Sequence, residues 1–274
     1  MDTSGSYPMH KISGYAPVNG LKMHYEITGE GDPLIYIPAA FAFSGMTEFP
    51  ELTKRWRVVQ VDVQGHGRTA DRDTPLSFDQ HVSDILGLMD YLEISRADFF
   101  GWSYGGLVAT LIALRYPDRV KRVVTYGALY GPPQEAIRPE MFGPLVEQSP
   151  DGAAHSFARD HFMRVAPEPS HWPVFWKKLM DIVPVSLTKD ELASITPRIL
   201  VSVGDNDFIS LEHAIYAYRN LSHAELAVIP DATHFLLYDQ PSKLEPIIAG
   251  FLSSPDDRVP FGTIATGYQP GKTR

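Results

Sequence analysis

Residues 101–105 read Gly-Trp-Ser-Tyr-Gly, set between an apolar run, Ala97-Asp98-Phe99-Phe100, and a helical pattern from Leu107 to Arg115. A Gly-x-Ser-x-Gly pentapeptide in that setting asks for a strand that turns abruptly into a helix, with one serine hydroxyl presented at the turn. Such a serine occupies a strained region of backbone space, and side chains two residues to either side would collide. Gly101 and Gly105 remove the collision, and Gly106 extends the cleared space. The pattern also occurs by accident in loops, so its weight comes from the strand before it and the helix after it.

The rest of the chain supplies the elements that such a turn needs. Apolar runs alternate with helical patterns, which predicts an α/β architecture with a largely parallel sheet. Residues 21–27 alternate with period two and read as an antiparallel edge strand, pairing with 12–17 across the Asn19-Gly20 turn. Leu34–Ile37 is a short buried strand stopped by Pro38. Residues 58–61, 120–126, 199–203 and 225–229 read as further strands, and 78–92, 211–220 and the segment from 241 as helices.

Between 127 and 190 the alternation breaks. Prolines accompany Met141, Phe142, Phe157, Phe162, Met163, Trp172, Phe175, Trp176 and Met180. This predicts a helical cap inserted into a core formed by 1–126 and 191–274 and covering the sheet's C-terminal edge. Most of these side chains would fill the cap's own core, while a lid also needs apolar groups facing the cleft. The candidates for substrate contact are Trp172 and Trp176 in the cap, with Phe41 and Trp102 below it. The tail after Ser254 reads as irregular.

Composition narrows the function. The 274 residues, 44% apolar, suit one α/β domain with a small insert. The absence of cysteine excludes a disulfide framework, a thiolate metal site and a cysteine nucleophile. A net charge of −9 argues against nucleic acid or an anionic membrane as partner. The N-terminal residues lack the basic and apolar regions of a signal peptide, and no stretch is long and apolar enough to span a bilayer. The expectation is a soluble, cytoplasmic protein acting on a small molecule.

A serine hydroxyl needs a base, and the base needs an orienting group. His234 follows the strand at 225–229 through Pro230-Asp231-Ala232-Thr233, which puts it at the C-terminal edge of a parallel sheet, beside Ser103. His66 is the rival, in Gln64-Gly65-His66-Gly67-Arg68 after the strand ending near Asp62. Two flanking glycines make it a better structural hydrogen bonder than a base. His24 sits inside an early strand, His10 near the start of the chain, His155, His161 and His171 in the cap, and His213 and His223 in or beside a helix. The acid should lie between serine and histidine in the chain. Asp205 and Asp207 both follow the strand at 199–203, and Asp207, deeper in the loop, is favoured. An oxyanion hole would combine the Tyr104 N–H, at a helix N-terminus, with an N–H from Ala39, Ala40 or Phe41, since Pro38 cannot donate.

With Ser103, Asp207 and His234 in that order, the chain resembles the α/β-hydrolase superfamily over about residues 12–252. Asp62-Val63-Gln64-Gly65-His66-Gly67-Arg68-Thr69, Tyr116-Pro117-Asp118-Arg119-Val120, Gly204-Asp205-Asn206-Asp207 and Ile229-Pro230-Asp231-Ala232-Thr233-His234-Phe235 resemble four of its characteristic loops. The resemblance implies a mostly parallel eight-stranded sheet flanked by helices, a cap over 127–190, a second oxyanion N–H on Ala40, and no metal or organic cofactor. One departure is Pro38-Ala39 where most relatives carry His-Gly. Serine at the elbow argues against dehalogenase and epoxide hydrolase chemistry, which need a carboxylate nucleophile. The leading expectation is a serine esterase or lactonase acting on a small, fairly apolar ester. The alternatives are a cofactor-free carbon–carbon bond hydrolase or perhydrolase, and a ligand-binding protein with little turnover.

Overall fold

Eight strands form one sheet in the computed structural model, which describes residues 11–141, 149–151, 156–183 and 185–256. His10, Phe142, His155 and nearly all of the tail after Ser254 lie outside the described residues. The strands are β1 (Lys11–Val18), β2 (Leu21–Thr28), β3 (Asp32–Ile37), β4 (Trp56–Val61), β5 (Ala97–Trp102), β6 (Val120–Tyr126), β7 (Arg198–Gly204) and β8 (Ala224–Ile229). Their order is β1-β2-β4-β3-β5-β6-β7-β8, antiparallel for β1–β2 and β2–β4 and parallel elsewhere. The predicted hairpin closes with Val18 opposite Leu21. Asn19 and Gly20 both take positive φ, 46° and 83°, as a tight two-residue hairpin turn demands.

Parallel strands must be covered on both faces, and the sequence supplies the cover. Every residue of β5 is buried. Helices α1 (Phe78–Tyr91) and α2 (Tyr104–Arg115) place Val82, Ile85, Leu88, Val108 and Leu111 on one face of the sheet. Ser77 starts α1 by accepting the Gln80 N–H. On the other face, Leu52 and Trp56 pack with Ile248, Phe251 and Leu252 of the C-terminal helix (Glu245–Leu252).

Strand β3 lies between β4 and β5, so the chain winds away from it in two directions. The loops leaving β3 and β5 therefore open side by side at the C-terminal edge, where open α/β sheets place their sites. Ile37 pairs with Gly101 at that edge.

The insert leaves after β6. Its stems join where the Leu187 N–H donates to the Tyr130 carbonyl at 2.8 Å. Within it, α3 (Ser156–Val165) and α4 (Trp172–Met180) carry the aromatic cluster: Phe162 stacks on Phe175 at 5.3 Å and meets Trp172 at 5.4 Å. Phe157, Met163 and Met180 of the same helices stay exposed. Helix α5 (Lys189–Ser194) runs across the boundary expected at 190. It begins at a Thr188–Glu191 capping box and packs on α2 and on α6 (Leu211–Asn220). The core thus resumes at Thr188 because that cap starts a core helix.

Candidate active site

Ser103 stands between β5 and α2 with φ 52° and ψ −114°, the strained turn expected of an exposed nucleophile. A Cβ at Gly101 would lie 2.3 Å from the Gly105 carbonyl oxygen, and one at Gly105 would lie 2.0 Å from that of Ile37. Both glycines are therefore dictated by contact. The second also presses the elbow against the loop that follows β3. The Ser103 N–H donates to the Tyr126 carbonyl at 2.8 Å, tying the turn to β6. Tyr104 opens α2, whose first N–H groups have no intrahelical acceptor. In the neighbouring loop the Ala42 N–H donates to the Ala39 carbonyl at 3.0 Å and Phe41 takes φ 65°, so Ala40 sits in a tight turn beside the elbow.

The acid and base loops touch each other. The Asn206 N–H donates to the Ala232 carbonyl at 3.0 Å, and a Cβ at Gly204 would lie 2.0 Å from that same oxygen. This contact brings His234 Nδ1 to 2.8 Å from Asp207 Oδ1, which also accepts the Ile209 N–H at 2.8 Å. Asp205 instead braces the turn, accepting the Ala232 N–H at 3.1 Å. Gly127, with φ 55°, gives the pair room, since a Cβ there would lie 2.8 Å from both Asp207 Oδ2 and His234 Nδ1. Asp207 is fully buried, His234 is 4% exposed and Ser103 7%. Among the described residues no hydrogen bond joins Ser103 Oγ to His234; such bonds commonly close only in the substrate complex.

His66, the rival base, has a different environment. Its Nδ1–H donates to the Gln64 carbonyl at 3.0 Å, and burial pushes its pKa down. It packs against Tyr104, His81 and Phe175 rather than pairing with a carboxylate. Burial also pushes His81 down to about 3, and its Nδ1 shares a 2.6 Å hydrogen bond with the Tyr104 hydroxyl.

The four expected contact residues divide. Phe41 and Trp172 meet at 5.6 Å, and the Trp172 indole donates to the Pro150 carbonyl. Trp176 is half-buried against the main core. Trp102 lies beneath the histidine loop: its indole N–H donates to the His234 carbonyl at 2.9 Å and its ring meets Tyr238 at 4.9 Å. It braces the His234 backbone from below. Sequence reasoning did not single out Phe175 or Phe208. Phe175 bridges Phe41 and His66, entering a space where a Cβ on Gly65 would lie 2.6 Å from its ring. Phe208 packs against His234, with ring centroids 3.9 Å apart and the planes tilted by 34°. Its place directly after Asp207 was the available signal.

The cap is latched to the core below it. Asp71 accepts from Lys178 Nζ at 2.7 Å, His171 Nε2 at 2.9 Å and Gln64 Nε2 at 2.8 Å. Burial pushes its carboxyl up, but the hydrogen bonds from Lys178, Gln64 and His171 win and hold it below its ordinary value. Among the described residues no group of three or more His, Asp or Glu could hold a metal ion, and no helix is long and apolar enough to cross a membrane.

The profile of the alpha/beta hydrolase family matches residues 32–246. Serine hydrolase BPHL of Homo sapiens is 27% identical over 239 residues, covering 82% of this chain and 80% of its own. The 2-hydroxymuconate semialdehyde hydrolase of Pseudomonas sp. (strain CF600) is 35% identical over 115 residues, 40% of this chain and 41% of its own. Among solved structures, the 2-hydroxy-6-oxo-6-phenylhexa-2,4-dienoate hydrolase from Rhodococcus sp. strain RHA1 superposes with a TM-score of 0.74 at 21% identity, covering 90% of this chain and all of that one. The enol-lactonase from Burkholderia xenovorans LB400 gives 0.71 at 24% identity, covering 88% of this chain and all of that one.

Proposed function

The chain belongs to the alpha/beta hydrolase family, and on that premise we propose that it is a serine hydrolase cleaving a small, apolar carboxylic ester or lactone through an acyl-enzyme. The observation that carries the reading is the buried Asp207–His234 pair, 2.8 Å apart, at the sheet edge where Ser103 is held in its strained turn. Asp207 fixes the proton on His234 Nδ1 and leaves Nε2 free to act as base. Ser103 Oγ attacks the carbonyl carbon as Nε2 takes its proton. The N–H groups of Tyr104 and Ala40 hold the oxyanion, helped by the positive end of α2. His234 then protonates the departing alkoxide, and in the second half activates the water that releases the acid.

The aromatic groups of the cap, Phe162, Trp172 and Phe175, with Phe41 below them, favour an apolar substrate. Lys178 and Arg72 are already paired with Asp71 and Asp84, so neither offers a free charge to an anionic substrate, which favours a neutral one. The names of the dienoate and semialdehyde hydrolases among the similar proteins support a second reading, hydrolysis of a carbon–carbon bond beside a ketone. Short p-nitrophenyl esters assayed beside vinylogous diketones separate the two. Ester turnover that disappears in Ser103→Ala supports the first reading; activity confined to the diketones overturns it.

A further inference from the structure

A second Ser–His–Asp constellation stands on the antiparallel edge of the sheet, away from the elbow. Ser13 on β1 and His24 on β2 are diagonal neighbours on one face, since Ser13 pairs with Glu26 and Tyr15 with His24. Ser13 Oγ lies 2.9 Å from His24 Nε2. His24 Nδ1 lies 3.0 Å from Asp62 Oδ2, with Ser44 Oγ at 3.1 Å. The oxygens of Asp62 accept the backbone N–H groups of Ser44, at 2.5 Å, and Arg68, at 2.9 Å. A carboxylate held by these donors takes the Nδ1 proton's hydrogen bond and does not give one. That leaves the Nε2 lone pair facing the serine hydroxyl. His24 and Asp62 are buried, at 1% and 0% exposure, while Ser13 is exposed. The Tyr15 ring stands edge-on to His24 at 5.1 Å and fixes the imidazole from the solvent side.

We propose that Ser13 is a second acyl-accepting serine, taking one acyl group from an activated aryl ester. Ser13 Oγ bonds to the carbonyl carbon while His24 Nε2 takes the hydroxyl proton. The bond to the aryl oxygen breaks, the phenol leaves with that proton, and His24 returns to neutral. The acyl group stays on Ser13 as an ester. The reaction is stoichiometric, because a serine inside a strand has neither an elbow nor a helix N-terminus beside it to drive deacylation.

The test uses the full chain carrying Ser103→Ala, so its outcome is independent of the proposed catalytic reaction. p-Nitrophenyl acetate is added, p-nitrophenol release is followed, and the acetylated peptides are mapped by mass spectrometry. Release of one equivalent is expected, with Ser13 acetylated at least about tenfold faster than the exposed Ser194, a modest share of what a positioned base commonly contributes. Adding Ser13→Ala should abolish that equivalent. His24→Gln, made in protein that retains Ser103 so that turnover reports folding, should slow Ser13 labelling to the Ser194 rate. Ser13 labelled no faster than Ser194, or equally fast without His24, overturns the proposal and leaves the cluster as a staple for the edge strands.

Discussion

The two Ser–His–Asp clusters differ in a way that distance alone would misjudge. Ser13, His24 and Asp62 close both hydrogen bonds, at 2.9 and 3.0 Å, on ordinary pleated strands. Ser103, His234 and Asp207 close only the acid–base bond, at 2.8 Å. Yet the second group has what the first lacks: a serine at φ 52° that is itself buried, with a helix N-terminus beside it. Three side chains in line are easily assembled across a sheet. The strained turn and the oriented backbone donors are what turnover would require of such a cluster.

The largest separation between the two should come from their acids. Asp207→Asn is expected to lower kcat on esters by about 10⁴-fold with the fold intact, because His234 would lose its correct tautomer. Steady-state kinetics and a thermal melt measure both effects. Asp62→Asn should do the reverse: kcat within about tenfold of the parent and a loss of roughly 2–4 kcal/mol of stability in urea, since two buried hydrogen bonds and one part-buried one lose their charged acceptor. A large kcat loss with unchanged stability in that variant would erase the contrast.

The corner that joins Ser103, Asp207 and His234 was legible in the sequence because its signals are local. Each residue follows its own strand, and Gly101, Gly105 and Gly204 mark where backbones touch. The edge cluster was hidden because it depends on strand register. His24 was set aside as a strand residue, and nothing in sequence order brings Ser13 and Asp62 to either side of it. The cap was half legible. Its aromatic content was plain, but that Phe175 would reach Gly65 follows only from how α4 lies on the core. The boundary near 190 slipped because the Thr188 cap starts a core helix just before it.

Acid should sharpen the contrast further. Burial holds His81 at about 3 and His213 at about 4, against an ordinary 6.5. The His81 ring shares a hydrogen bond with the Tyr104 hydroxyl, and the His213 ring accepts the Tyr130 N–H. Because the folded values are depressed, this stability is fully present above pH 6.5 and is lost as pH falls toward 4 and 3. Urea midpoints between pH 7 and 4 should fall, and fall less steeply in His213→Gln. The smallest effect is expected from Trp102→Phe, which removes the 2.9 Å bond to the His234 carbonyl. A kcat loss of about three- to tenfold, the size of one neutral hydrogen bond, is expected with KM little changed.

The most direct test of the central claim is rapid mixing of the parent protein with p-nitrophenyl butyrate, followed by an acid quench and peptide mapping. The account predicts a rapid burst of about one equivalent of p-nitrophenol per chain with the butyryl group on the peptide carrying Ser103, and in Ser103→Ala no steady turnover and no rapid burst, only the slow single equivalent assigned to Ser13. Steady turnover that survives in Ser103→Ala would contradict it.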